Sequence, residues 1–102
     1  MVVFLYRWRL KSGMEQQFAD AWAVVTKYHL EHSKSLGSRL HKGSDGIHYG
    51  YACWPDAETR KEAFEKPFEM PEFGLMREAI EESFPAVELN VLNDLISARS
   101  NA

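Results

Sequence analysis

The order of elements in this 102-residue chain, strand, helix, strand, strand, broken helix, strand, predicts one α+β domain of the ferredoxin-like βαββαβ kind. Three observations carry that expectation. The first strand has apolar side chains on both faces. A helix with a continuous apolar stripe follows it. Two short alternating runs then flank a Gly-Ser-Asp-Gly turn, and proline-interrupted helical segments come after them.

Residues 2–10, Val-Val-Phe-Leu-Tyr-Arg-Trp-Arg-Leu, are rich in β-branched and aromatic residues and predict a strand. One face holds Val2, Phe4, Tyr6, Trp8 and Leu10; the other holds Val3, Leu5, Arg7 and Arg9. Ser12-Gly13-Met14-Glu15 matches a capping box, in which Ser12 accepts from the Glu15 N–H and the Glu15 side chain reaches back. Met14, Phe18, Ala21, Trp22 and Val25 then recur at three- and four-residue steps, so a helix is expected to run to about His32.

Residues 36–42 and 47–54 predict a hairpin closed by a four-residue turn, Gly43-Ser-Asp-Gly46. Pairing Lys42 with Ile47 sets His41 opposite His48 and Leu40 opposite Tyr49. The small residues Gly50 and Ala52 leave room for a close approach to their face. Asp56 is the expected cap of a helix reaching about Lys66, which Pro67 and Pro71 interrupt. A further helix from Pro71 would carry Phe73, Met76, Ile80 and Phe84 on one side and stop at Pro85. Residues 86–92 alternate as a last strand, and 97–102 read as a frayed tail of the single domain 1–102.

A chain of this length buries roughly two-thirds of its unfolded surface, enough for a core without staples. Apolar residues at 45% and charged residues at 26% are an ordinary globular balance, which argues against disorder. Cys53 is the only cysteine, which excludes an internal disulfide and a cysteine-based zinc site. No run approaches the ~20 apolar residues of a membrane span, and the N-terminal apolar run is too short for a signal peptide, so a cytoplasmic location is expected. Net charge is −3, divided as +3 over residues 1–50 and −6 over 51–102, with no concentrated basic patch of the kind a nucleic-acid binder needs.

A right-handed crossover puts both helical layers on one face of the sheet and leaves the other bare. The doubly apolar first strand requires a cover for that face. A second copy of the chain, making a homodimer through the sheet, is the economical one. A monomer using the sheet as an aromatic binding platform is the alternative, disfavoured because large exposed apolar patches are uncommon on monomers.

Tyr6-Arg-Trp-Arg-Leu-Lys-Ser-Gly13 with Glu15 and Phe18, then Gly37-Ser-Arg-Leu-His41 and Tyr51-Ala-Cys-Trp54 with Pro55, resembles the antibiotic biosynthesis monooxygenase family over most of residues 2–66. The resemblance implies a dimeric α/β barrel with a small cavity between sheet and helices in each subunit. It also implies that the chain works without a cofactor or metal, oxygenating a small aromatic, quinol or polyketide-like substrate. By position in that fold, Tyr6 and Tyr49 would be catalytic, and Trp8, Trp22, Tyr51 and Phe73 would bind substrate, with the Phe73–Phe84 stripe as apolar wall. Haem degradation is disfavoured, because the related haem enzymes take a proximal histidine from the second helical segment and residues 55–84 contain none.

The chemistry of such a reaction needs an apolar pocket with a few donors and a base. His48, on the central hairpin and titrating near neutrality, is the candidate base. The His41–His48 pair is a weak metal signal without a carboxylate, and is read as a surface or interface pair. His29 and His32, three apart near a helix end, are read as partners of the helix dipole, and Arg39 as half of an interface ion pair. Each aromatic residue has an ordinary alternative as core. A ligand-binding or stress-related domain, and a proton-transfer isomerase, stand beside the oxygenase reading.

Overall fold

The computed structural model describes residues 1–66 and 69–96. The expected break at Pro67 and the frayed tail at 97–102 lie outside them. Strand β1 is Val2–Leu10, helix α1 Glu15–His32, strand β2 Gly37–Lys42, strand β3 His48–Trp54, helix α2 Ala57–Glu65, helix α3 Pro71–Ala79 and strand β4 Ile80–Asn90. They form one antiparallel sheet in the order β2-β3-β1-β4, which is the expected βαββαβ arrangement with the second helical segment in two pieces.

Parity along β1 sorts the sheet into two faces. Val2, Phe4, Tyr6 and Trp8 pair with Trp54, Ala52, Gly50 and His48 on the face under the helices. Val3, Leu5 and Arg7 pair with Cys53, Tyr51 and Tyr49 on the other. Val2, Phe4, Ala52 and Trp54 close a core against Ala63 of α2. Helix α1 is seated by Phe18, which is fully buried with its ring 4.9 Å from that of Trp8. Gln17 ties α1 to α3, donating to the Leu75 carbonyl at 3.1 Å and the Glu78 carboxylate at 2.9 Å.

Gly50 is where backbone and ring come closest. A Cβ there would lie 2.8 Å from Cη2 of Trp8. The room left at Gly50 is therefore filled by an indole of the same chain, on the helix-covered face, whereas Ala52 borders open space there.

The Asp56 cap forms as expected, its carboxylate accepting from the Thr59 N–H at 2.7 Å. Ser12 does not cap α1. Met14 N–H donates to the Lys11 carbonyl at 3.1 Å, and Gly13 takes φ +83°, so Ser12 and Gly13 are the middle of a tight turn. Met14 then holds the cap position with no side-chain bond.

The hairpin register differs by one residue from the expected one. Gly43 N–H donates to the Ile47 carbonyl at 2.7 Å and Gly46 N–H to the Gly43 carbonyl at 2.9 Å, with Gly46 at φ +83°. This is a three-residue loop ending in a left-handed glycine. Lys42 thus pairs with His48 and His41 with Tyr49. A one-residue slip exchanges faces, so His41 and His48 lie on opposite sides of the sheet and form no pair.

The third helix ends at Ala79, and Pro85 lies inside β4 instead of before it. The edge position of β4 leaves one side unpaired. Between Leu5↔Val87 and Arg7↔Phe84 two residues, Pro85 and Ala86, oppose Tyr6 alone. A bulge on an edge strand is where a proline lacking its N–H is tolerated. Ile80 and Phe84 are accordingly strand residues, and Phe84 lies under the Arg7 guanidinium on the uncovered face, 5.5 Å from ring centroid to Cζ.

Candidate active site

Between the sheet and the helices lies a cavity of about 400 Å3, within the usual range of small-molecule sites. Its sheet wall is Tyr6, Trp8, Ser38, Ala52 and Trp54. Helix α1 contributes Trp22, Val25, Thr26 and His29, α2 contributes Phe64, and α3 contributes Phe73 and Met76. Ser35 and Lys66 complete it from the connecting segments.

Four of the residues expected at a site, Tyr6, Trp8, Trp22 and Phe73, meet here. The other three do not. Tyr49 and Tyr51 point to the opposite face of the sheet, because strand alternation separates them from Gly50 and Ala52. Tyr49 donates from its hydroxyl to Asp45 beside the hairpin loop, and that bond raises its pKa. Tyr51 borders a groove on the uncovered face. His48 is on the correct face but buried opposite Trp8, outside the cavity wall, and its Nδ1 has no hydrogen-bond partner among the described residues.

The Tyr6 phenol is the best-held polar group. Arg60 Nε donates to its oxygen at 2.8 Å, and the guanidinium is itself clamped over the Phe4 ring at 4.0 Å and the Phe64 ring at 4.4 Å. Burial pushes the Tyr6 pKa above its ordinary value, and the Arg60 hydrogen bond and charge offset part of that rise. Tyr6 is therefore a neutral phenol at physiological pH. With its oxygen accepting from Arg60, its own O–H can donate to a ligand. Trp8 stacks beside it, ring centroids 5.8 Å apart and planes within 12°.

The pattern of the sequence also contained a residue that the expectation set aside. The stripe Phe18, Trp22, Val25 continues by four to His29, which lines the cavity. Its Nδ1 is 3.0 Å from Ser33 Oγ, and its ring meets Trp54 edge-on at 5.7 Å and Phe64 at 5.5 Å. Burial first, and then the neighbouring His32, lower its pKa below the ordinary histidine value. The serines are committed elsewhere: Ser38 donates to the Tyr51 carbonyl and Ser35 accepts from the Gly37 N–H, each at 3.0 Å. Trp54 is 2% exposed and its indole N–H has no partner among the described residues. Arg60 had no signal of its own in the sequence, since only folding brings α2 over β1.

Among the described residues no group of three His, Cys, Asp or Glu side chains stands together to hold a metal ion, and no helix is long and apolar enough to cross a membrane.

No family model and no curated protein matches the chain in sequence. Solved structures do match its fold. SnoaB, a cofactor-independent oxygenase from Streptomyces nogalater, superposes with a TM-score of 0.77 at 16% identity, covering 94% of this chain and 97% of SnoaB. A protein described as an antibiotic biosynthesis monooxygenase superposes at 0.73 with 10% identity, covering 91% of this chain and all of that one (100%). Rv0793 from Mycobacterium tuberculosis does so at 0.73 with 10% identity, over 93% and 98% of the two chains. At these identities the likeness is one of fold, and it is the fold that the sequence predicts.

Proposed function

We propose that the chain is a cofactor-independent monooxygenase of the antibiotic biosynthesis type, acting on a small hydroxylated aromatic such as an anthrone or quinol. The observation that carries this reading is the cavity itself. It is aromatic-walled, of a size for two or three fused rings, and built around a neutral phenol donor fixed by an arginine. Such a substrate, once deprotonated, gives an electron-rich anion that reacts with dioxygen. On an anthrone one oxygen atom replaces the two hydrogens of the ring CH2 as a carbonyl and the other leaves as water with them; on a quinol one oxygen atom enters at a ring C–H, giving a hydroxyquinone, with the same release of water. The site's share is to favour the anion, through the Tyr6 O–H and through walls that hold the rings and exclude water. The fold shared with SnoaB supports the reading as analogy only.

A second copy of the chain is the proposed cover of the bare sheet face. Val87, Leu89 and Val91 are each 38–41% exposed there, beside a groove of about 810 Å3 bordered by Leu36, Tyr51 and Cys53.

Oxygen consumption by chelator-treated protein, measured with a panel of anthrones and quinols, tests the oxygenase reading. Uptake equal to the quinone formed is expected. No uptake with any member ends it, and product isomerised without oxygen would favour the proton-transfer alternative, which the same donor and cavity also suit.

A further inference from the structure

We propose that His29 is the base of this cavity, taking the hydroxyl proton of a bound phenol or enol at Nε2 while Ser33 holds Nδ1. The inference rests on the cavity being the ligand site, as the oxygenase reading does, but not on any step with oxygen.

Several other polar groups border the cavity or lie beside it. Tyr6 is a donor held by Arg60 and is kept protonated by burial. The Ser38 hydroxyl donates its hydrogen bond to the Tyr51 carbonyl. Lys66 brings an ammonium and Thr26 a hydroxyl, both of which serve as hydrogen-bond donors. His48 lies outside the wall. His29 alone among these described residues combines a place in the wall with a basic nitrogen at physiological pH.

Its surroundings suit the two states that a base must visit. At rest, burial among the aromatic rings of Trp54 from β3, Phe64 from α2 and Tyr28 from its own helix favours the neutral imidazole. The charged or titratable groups about the cavity are His32 and Tyr28 on α1, Lys66 after α2, and Tyr6 on the sheet with its partner Arg60 from α2. His32 opposes a second positive charge. When a ligand loses its proton the balance changes. The O–H bond breaks, the electron pair stays on oxygen, and the proton moves to the imidazole. The resulting anion offsets the new charge, and Nδ1–H can donate to Ser33 Oγ, 3.0 Å away. The last turn of α1, to which His29 belongs, also favours a cation. Tyr6 O–H and Lys66 are then the donors for the anion.

The experiment uses the full chain and 4-nitrophenol, whose phenolate absorbs visible light and whose phenol does not. Binding to the wild-type protein should raise the ratio of phenolate to phenol roughly tenfold, equivalent to one unit of acidity. His29→Gln should bind the probe and lose that shift, and Ser33→Ala should reduce it. In the wild-type protein, with no variant needed, the His29 ring resonances should move to the imidazolium position when the probe is added at a pH where the ring is neutral. The effect should fade as pH falls through the His29 pKa. A probe that does not bind, or binds as the neutral phenol, or ionises equally on His29→Gln, or leaves the His29 resonances unmoved, overturns the inference. The oxygenase reading fails separately. Loss of oxygen uptake with probe ionisation intact defeats that reading alone, whereas uptake undiminished in His29→Gln defeats this inference alone.

Discussion

The two faces of the sheet are built by the same strands and differ in everything that matters for chemistry. On the helix-covered face, β1 presents Tyr6 and Trp8 to a cavity, and β3 answers with small residues and Trp54. On the uncovered face the neighbours in sequence, Leu5, Arg7, Tyr49 and Tyr51, meet Val87, Phe84 and a groove edge. A tyrosine on the first face is half-buried, clamped by an arginine and shifted in pKa by desolvation. A tyrosine on the second bonds an exposed carboxylate and is shifted by that bond. Residue type is thus a poor guide to role here, and the layer into which a side chain points is a good one.

The contrast is broken most strongly at its foundation. Phe18→Ala removes the fully buried ring that seats α1 and should cost about 3–5 kcal/mol of stability, read by urea unfolding. A loss under 1 kcal/mol would mean that α1 is not anchored through this contact. Next, Tyr6→Phe should lower oxygenase kcat/KM on the order of 100-fold while leaving the unfolding midpoint nearly unchanged. Tyr49→Phe, across the sheet, should change the rate by less than about twofold, as expected of a group that touches no transition state. Equal losses in the two variants would erase the functional distinction between the faces.

A change of intermediate size tests the closeness of β3 to Trp8. Gly50→Ala places a methyl against an indole that is itself packed on Tyr6 and Phe18, and should cost about 1–3 kcal/mol. It should also weaken ligand binding, because the indole it displaces lines the cavity. On the uncovered face, Leu89→Glu should convert a dimer to a monomer in sedimentation at micromolar concentration without altering the fold by circular dichroism. A wild-type chain that sediments as a monomer would remove the need for a cover.

The smallest effects lie in pH dependence. The Tyr6 pKa is raised, so its contribution to stability is fully present below the ordinary tyrosine value of about 10 and is lost as pH rises through the folded value. His29 is lowered, so its contribution is present above about 6.5 and is lost as pH falls through its folded value. Arg60→Met removes the hydrogen bond and charge that restrain Tyr6 and should move its ionisation further upward, measured by tyrosinate absorbance. A downward movement would show that Arg60 does not hold the phenol.

Much of this molecule was legible in the sequence because its signals are local. The alternation in Val2–Leu10, the stripe from Met14 to Val25 and the Asp56 cap each depend on residues within a turn or two. They determined the element order, the two-faced first strand and, through it, the presence of Tyr6 and Trp8 on one side. What the tertiary structure decided is parity between segments. Gly43-Ser-Asp-Gly46 can close either a three- or a four-residue loop, and that single residue decides whether His41 faces His48 or Tyr49. The spacing Phe73, Met76, Ile80, Phe84 suits a helix throughout, until pairing with β1 draws Ile80 onward into an edge strand and absorbs Pro85 in a bulge. The cavity belongs to the same class. His29, Arg60 and Trp54 come from three elements, and their meeting depends on how helices settle on a sheet, which packing decides and no local pattern encodes.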